Sequence, residues 1–167
     1  YLCLVAMLLS FSSKAQVNLD SLWGVWNDKT QPDTNRLKAM NDIAWDGYLY
    51  SQPDSAFYFA QMGYDFAEVR NNKKWMANAL HTQGLSFYCR GNYEKAMEYN
   101  SKSLAIQKEL DNTKGISSSY GVMAIIYQDQ GKYGKSLEYY SKTLLISKQL
   151  HNKKAIGKCY NNIGTIY

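Results

Sequence analysis

The sequence predicts an all-α fold, a solenoid of antiparallel helix pairs, and three observations carry that prediction. Segments recur at an offset of 40 residues, apolar residues inside each recurrence follow helical spacing, and two prolines in 167 residues are too few for a loop-rich chain. At 46% apolar and 14% aromatic, the chain can build a packed core and is not a disordered one. Two histidines and three cysteines leave little material for a metal centre or a disulfide framework.

The chain begins with an apolar run, Leu2 to Leu9. It is too short for a bilayer, which needs about 20 residues, and has the length of a signal-peptide core. Ser13 and Ala15 put small residues at the −3 and −1 positions of a cut before Gln16. Residues 1–15 are therefore predicted to be a signal peptide lacking its own Met and basic start. A buried first helix is the alternative, although no polar face accompanies the run. Cys3 stands at the start of the run, not at its end, which does not suit a lipoprotein cleavage site. Residues 16–33 are expected to form an extended segment, and residues 34–167 the array.

Within the array, Asn92–Tyr99 recurs as Lys132–Tyr139, Leu104–Ile106 as Leu144–Ile146, and Leu110–Asn112 as Leu150–Asn152. Ala44, Gly84, Ala124 and Gly164 are small and 40 apart, and Ala56 and Asn72 stand 40 before Ala96 and Asn112. The units are 37–76, 77–116, 117–156 and a partial 157–167. Each reads as two helices. Tyr120, Met123 and Tyr127 mark the first; Asp129–Lys132 is a turn in which Gly131 can take a positive φ; a second helix runs from about Tyr133 to Leu150. Asn72, Asn112 and Asn152 fall at helix ends, where the left-handed tolerance of Asn suits a C′ position. In the first unit Ser51–Asp54 makes the turn, with Pro53 near a helix start. Residues 160–167 carry neither cap nor stop, so the chain reads as a fragment cut at both ends, expected to fray or self-associate at its last helix.

These residues resemble the tetratricopeptide repeat, whose pattern is Trp-x2-Leu-Gly-x2-Tyr followed by Ala-x3-Phe. Tyr160-x2-Ile163-Gly164-x2-Tyr167 fits it, as do Tyr120-x2-Met123-Ala124-x2-Tyr127 and, less well, Leu80-x2-Gln83-Gly84-x2-Phe87. Met40-x2-Ile43-Ala44-x2-Gly47 is weakest, with Tyr48 one step late. The period of 40, against about 34 in the reference, and the missing closing Pro resemble the long-repeat, kinesin-light-chain-like branch and imply a longer second helix. In this family small residues let helices approach, which makes packing residues of Tyr99, Tyr120, Tyr127, Tyr133, Tyr139, Tyr140, Tyr160 and Tyr167.

The resemblance implies a right-handed superhelix with first helices lining a concave groove. Its ligand contacts, carried onto this sequence, are Lys38, Asn41, Trp45 and Tyr48; Asn78, His81, Leu85 and Tyr88; Ser118, Gly121, Ile125 and Gln128; Lys158 and Asn161. Trp45, His81 and Leu85 stand where a chaperone-tail clamp would need polar residues, so that role is disfavoured. Aromatic anchors mixed with amides suit a protein or peptide ligand. Asn18–Trp23 and Gln31–Leu37 resemble the start of extracytoplasmic regions of bacterial signalling proteins, in which long repeats precede a membrane helix and a nucleotide cyclase or histidine kinase. Three readings follow. The first is an exported, periplasmic or extracytoplasmic, non-enzymatic binding module. The second is the sensor input of a membrane enzyme, anchored only through a span beyond these residues. The third is a structural part of an outer-envelope assembly.

No catalytic, metal or cofactor site is expected. Cys89 and Cys159 lie two units apart, about 16–20 Å at 8–10 Å per helix layer. That is too far for a disulfide, so both are expected to be buried or half-buried thiols. His81 and His151 have no partner at ligand spacing, and Asp42 with Asp46 reads as a solvated helix face. Gly131–Ser136 has the wrong spacing for a P-loop, and no strand precedes it. Charge is uneven, at −1, +1 and +4 over the three full units. The third carries Lys132, Lys135, Lys142, Lys148, Lys153 and Lys154 against Asp129 and Glu138. This reads as a solvated lysine face or a preference for an acidic partner; export argues against nucleic acid.

Overall fold

The computed structural model describes residues 18–167. The expected signal peptide, residues 1–15, lies outside them. The described residues form helices and no strand: α1 (Leu19–Asn27), α2 (Asp33–Asp42, continuing as a π-helix over Ile43–Tyr48), α3 (Pro53–Val69), α4 (Lys73–Cys89), α5 (Tyr93–Glu109), α6 (Thr113–Asp129), α7 (Tyr133–Gln149) and α8 (Lys153–Gly164). Helices pair as α2–α3, α4–α5 and α6–α7, and α8 packs on α7. The starts of α4, α6 and α8 are 40 apart, as are those of α3, α5 and α7. The all-helical solenoid is as expected, with pairs starting four residues earlier than the units read from sequence.

The early start comes from capping, which corrects the role expected for three asparagines. Asn72, Asn112 and Asn152 do not end helices; each begins one, its side chain accepting from the backbone N–H of Trp75, Gly115 or Ala155 at 3.4, 3.2 and 3.1 Å. The left-handed residue is the one before, Asn71, Asp111 and His151, at φ near 50°. Gly91 and Gly131 take that conformation inside the pairs, at φ 73° and 70°. One turn is thus used five times. The residue after the left-handed one returns its N–H to a carbonyl five positions back, as Asn92 does to Phe87 (2.9 Å) and Lys132 to Tyr127 (2.8 Å).

The first pair departs from this. Ser51 stands where Gly91 and Gly131 stand in the later pairs, and no left-handed residue occurs there. Gln52 N–H instead bonds Tyr48 O, four residues back, at 2.8 Å. The turn is one residue shorter, and the π-helix holds the residue left over. That places Tyr48, not residue 47, against Phe59 at 5.0 Å, as Phe87 meets Tyr99 (5.2 Å) and Tyr127 meets Tyr139 (5.5 Å). Gly47 is left facing α1, where a Cβ would come within 2.8 Å of Leu19.

Three further expectations are corrected. The segment expected to be extended contains α1, because Leu19, Leu22, Trp23 and Trp26 form a helical stripe that packs on Met40, Ile43, Tyr48, Phe59 and Phe66. The second helix is not the longer one: both members of α4–α5 and α6–α7 have 17 residues, so each pair matches end to end. Tyr133, Tyr160 and Tyr167 are exposed and do not fill space between helices.

Small residues set the helix spacing. Ala44, Ala56, Ala96 and Ala124 have no exposed surface. A Cβ on Gly84 would sit 3.2 Å from the backbone of Ala96 and Asn100. Buried hydroxyls between these contacts staple the helices through backbone carbonyls. Ser86 donates to Pro53 O (2.7 Å), Ser103 to Ala77 O (2.8 Å) and Ser136 to Ala124 O (2.9 Å). Each of these three hydroxyls is satisfied by a neighbouring helix, which ties helix order to geometry.

Candidate ligand groove

The first helices and the inner face of α7 enclose an open cavity of about 350 Å³. Trp45 from the π-helix, His81 and Leu85 from α4, Ser118, Gly121 and Ile125 from α6, and Lys158 from α8 all line it. These seven come from the contacts that the family resemblance implied.

The others lie elsewhere. Lys38 pairs with Asp42 at a separate hollow beside α1. Asn41 borders a void of about 10 Å³ beneath Leu37 and Trp75, too small for a ligand. Tyr48 is taken up by Phe59. Tyr88 donates its hydroxyl to Asp129 at 2.8 Å, and burial together with that carboxylate pushes its pKa up. Gln128 accepts from Tyr140 (2.8 Å) and donates to Thr165 (3.0 Å), tying α6 to α7 and α8. Asn78 is half-buried but outside the cavity, and Asn161 faces solvent while its neighbour Asn162 lines the wall. Cys159 is buried in that wall, whereas Cys89 is exposed, not buried as expected.

Sequence reasoning missed the floor. Tyr140, Thr143 and Ser147 project from α7 at i, i+3 and i+7, one stripe of a second helix that the family pattern does not count among ligand contacts. Burial pushes the Tyr140 pKa up to about 12, so it remains a neutral hydroxyl donor at physiological pH. Among the described residues the buried Ser147 hydroxyl has no hydrogen-bond partner.

One wall is held by a polar chain. Asn100, fully buried on α5, donates Nδ2–H to Ser119 O at 2.9 Å. Its Oδ1 therefore faces His81 Nδ1 at 3.2 Å, which makes His81 the donor and leaves Nε2 as the acceptor. The imidazole stacks on Trp45, with centroids 5.8 Å apart and planes 12° from parallel. Burial pushes the His81 pKa below its ordinary 6.5, outweighing the opposing effect of the Asn100 bond. Below pH 6.5 the unfolded chain then binds more protons than the folded one, so stability rises with pH. The urea midpoint is expected to fall as pH is lowered from about 6.5 towards about 5. A His81→Gln chain should lose that dependence; an unchanged slope would assign the titration to another group.

A family model described as tetratricopeptide repeat matches residues 117–154. Residues 117–154 are a tetratricopeptide repeat. Solved structures agree on the fold. The TPR domain of Arabidopsis FLU is 22% identical with a TM-score of 0.63, covering 71% of this chain and 99% of that one. Aspartyl phosphate phosphatase F from Bacillus subtilis is 20% identical with a TM-score of 0.74, covering 85% of this chain and 38% of that one. BtubC (BKLC) from P. vanneervenii is 16% identical with a TM-score of 0.70, covering 89% and 61%. The chain thus spans well under half of the phosphatase and about three-fifths of BtubC. No curated protein matches it significantly. The tetratricopeptide repeat is in general a non-catalytic scaffold for protein–protein interaction.

Proposed function

We propose that the chain binds a protein or peptide segment in the cavity between the π-helix, α4, α6 and α8. The observation that supports this is convergence: side chains from four successive first helices, Trp45, His81, Leu85, Ser118, Ile125 and Lys158, meet around one open space of about 350 Å³. It is tested by selecting peptides from a displayed random library and measuring them against Ser118→Trp. Ser118 is exposed, so Trp there fills the cavity without disturbing the core. Selected peptides are expected to weaken about tenfold or more. Undiminished binding would place the interface elsewhere on the solenoid.

In this reading the module is exported and works outside the cytoplasm, on the strength of the Leu2–Leu9 run and the small residues at 13 and 15. The second reading, sensor input of a membrane cyclase or histidine kinase, draws on the resemblance carried by Asn18–Trp23 and Gln31–Leu37. N-terminal sequencing of exported material tests the first; sequencing the gene downstream tests the second.

A further inference from the structure

We propose that the groove selects an acidic segment, whose carboxylates lie at the α6–α8 end and whose apolar side chains lie along the Trp45–His81 wall. This rests on the groove being the binding site. It goes further in naming the chemistry of what enters.

Charge is the first support. Residues 33–112 carry nine cations against ten carboxylates, whereas residues 113–167 carry eight lysines against only Asp129 and Glu138. Both of those carboxylates are engaged: Asp129 accepts from Tyr88 at 2.8 Å, and Glu138 pairs with Lys142 at 2.5 Å. The chain's net charge of +5 is therefore concentrated on the part of the solenoid that supplies most of the cavity lining.

The lining is the second support. No Asp or Glu borders the cavity, and Lys114 and Lys158 both do. Among the described residues neither lysine has a carboxylate within 4.0 Å, whereas Lys38, Lys73, Lys102 and Lys142 each have one. Two unneutralised ammonium groups at a concave surface with an apolar wall raise the local concentration of anions and speed their capture. The third support is apolar surface in the same cavity, from the stacked rings of Trp45 and His81 with Leu85 and Ile125. A segment carrying both acidic and apolar side chains matches the two kinds of lining, and alternating Glu and Phe presents both within a few residues.

The probes are short fluorophore-labelled peptides of alternating Glu and Phe, made as free acid and as C-terminal amide, with Gln and Lys versions of the same sequence and a labelled oligothymidylate. Binding is read by anisotropy against the full chain and against Lys114→Glu and Lys158→Glu, both exposed positions. The Glu peptide is expected to bind about tenfold or more tighter than its Gln and Lys versions, to weaken with added salt, and to lose about tenfold in the double Glu variant. A free acid much tighter than the amide would assign the carboxylate to a chain terminus. Equal binding would assign it to side chains; both outcomes support the proposal. A Gln peptide that binds as tightly as the Glu peptide would overturn it and leave peptide binding in the groove standing. Failure of every peptide here, together with library-selected peptides indifferent to Ser118→Trp, would overturn the groove reading as well. Oligothymidylate binding tighter than the Glu peptide and lost in the same lysine variants would replace an acidic peptide with nucleic acid.

Discussion

Trp26→Ala is expected to destabilise the chain by about 3–5 kcal/mol, the usual range for removing a buried large aromatic. Trp26 is 9% exposed and meets Phe66 edge-on at 5.1 Å. The Arg36 guanidinium lies over both rings, at 5.4 and 4.5 Å from their centroids. The Ala variant removes the centre of this cluster and leaves Met40 and Ile43 facing a void. In a solenoid each unit contacts only its neighbours, so the loss should be local. Hydrogen exchange should show protection falling in α1, α2 and the π-helix while α6 to α8 keep theirs. A change below about 1 kcal/mol, with α1 still protected, would mean that Trp26 does not hold α1 on the first pair.

Gly84→Leu is expected to cost about 1–3 kcal/mol by overpacking. The first atom beyond Cα already meets backbone, Ala96 O and Asn100 N at 3.2 Å, which cannot move without shifting α5 against α4. The shift would also strain the Asn100 bonds to Ser119 and His81 and so reach the groove wall. A control isolates the cause. Gly157 lies inside α8 with nothing within 4 Å of a built Cβ, so Gly157→Ala should stabilise by roughly 0.5–1 kcal/mol through helix propensity alone. Thermal melts of the two variants should move in opposite directions. If Gly84→Leu melts like the parent, close approach at residue 84 does not hold the pair together.

Much of the fold was legible in the sequence because its rules act over a few residues. Gly91 and Gly131 announce left-handed turns, Pro53 a helix start, and the 40-residue recurrence a stacked array. The asparagines were placed rightly and interpreted wrongly. Asn72, Asn112 and Asn152 directly follow left-handed residues, and a side chain that tolerates that geometry also caps the next helix. At a junction only a few residues long, both roles fall within one position of each other.

The candidate site was half legible. First-helix contacts are what the tetratricopeptide resemblance implies, and His81, Leu85, Ser118 and Ile125 among them line the cavity. Tyr140, Thr143 and Ser147 were not implied, because whether a second helix shows a face to the groove depends on how its neighbours pack, which no spacing encodes.

By itself the sequence determined the helices, their number per repeat, the turns and the small residues that allow close approach, all consequences of local backbone preference and of Cβ size. Only the tertiary structure decided three things. It folded residues 19–27 into α1, because Trp23 and Trp26 have a hydrophobic surface to cover only once α2 and α3 have paired. It placed a π-helix at Ile43–Tyr48, where a turn without glycine and the need to seat Tyr48 on Phe59 leave one residue over. And it gathered the lysines of α6 and α8 beside a wall without carboxylates, because side chains far apart in sequence meet only when the solenoid closes around a common space.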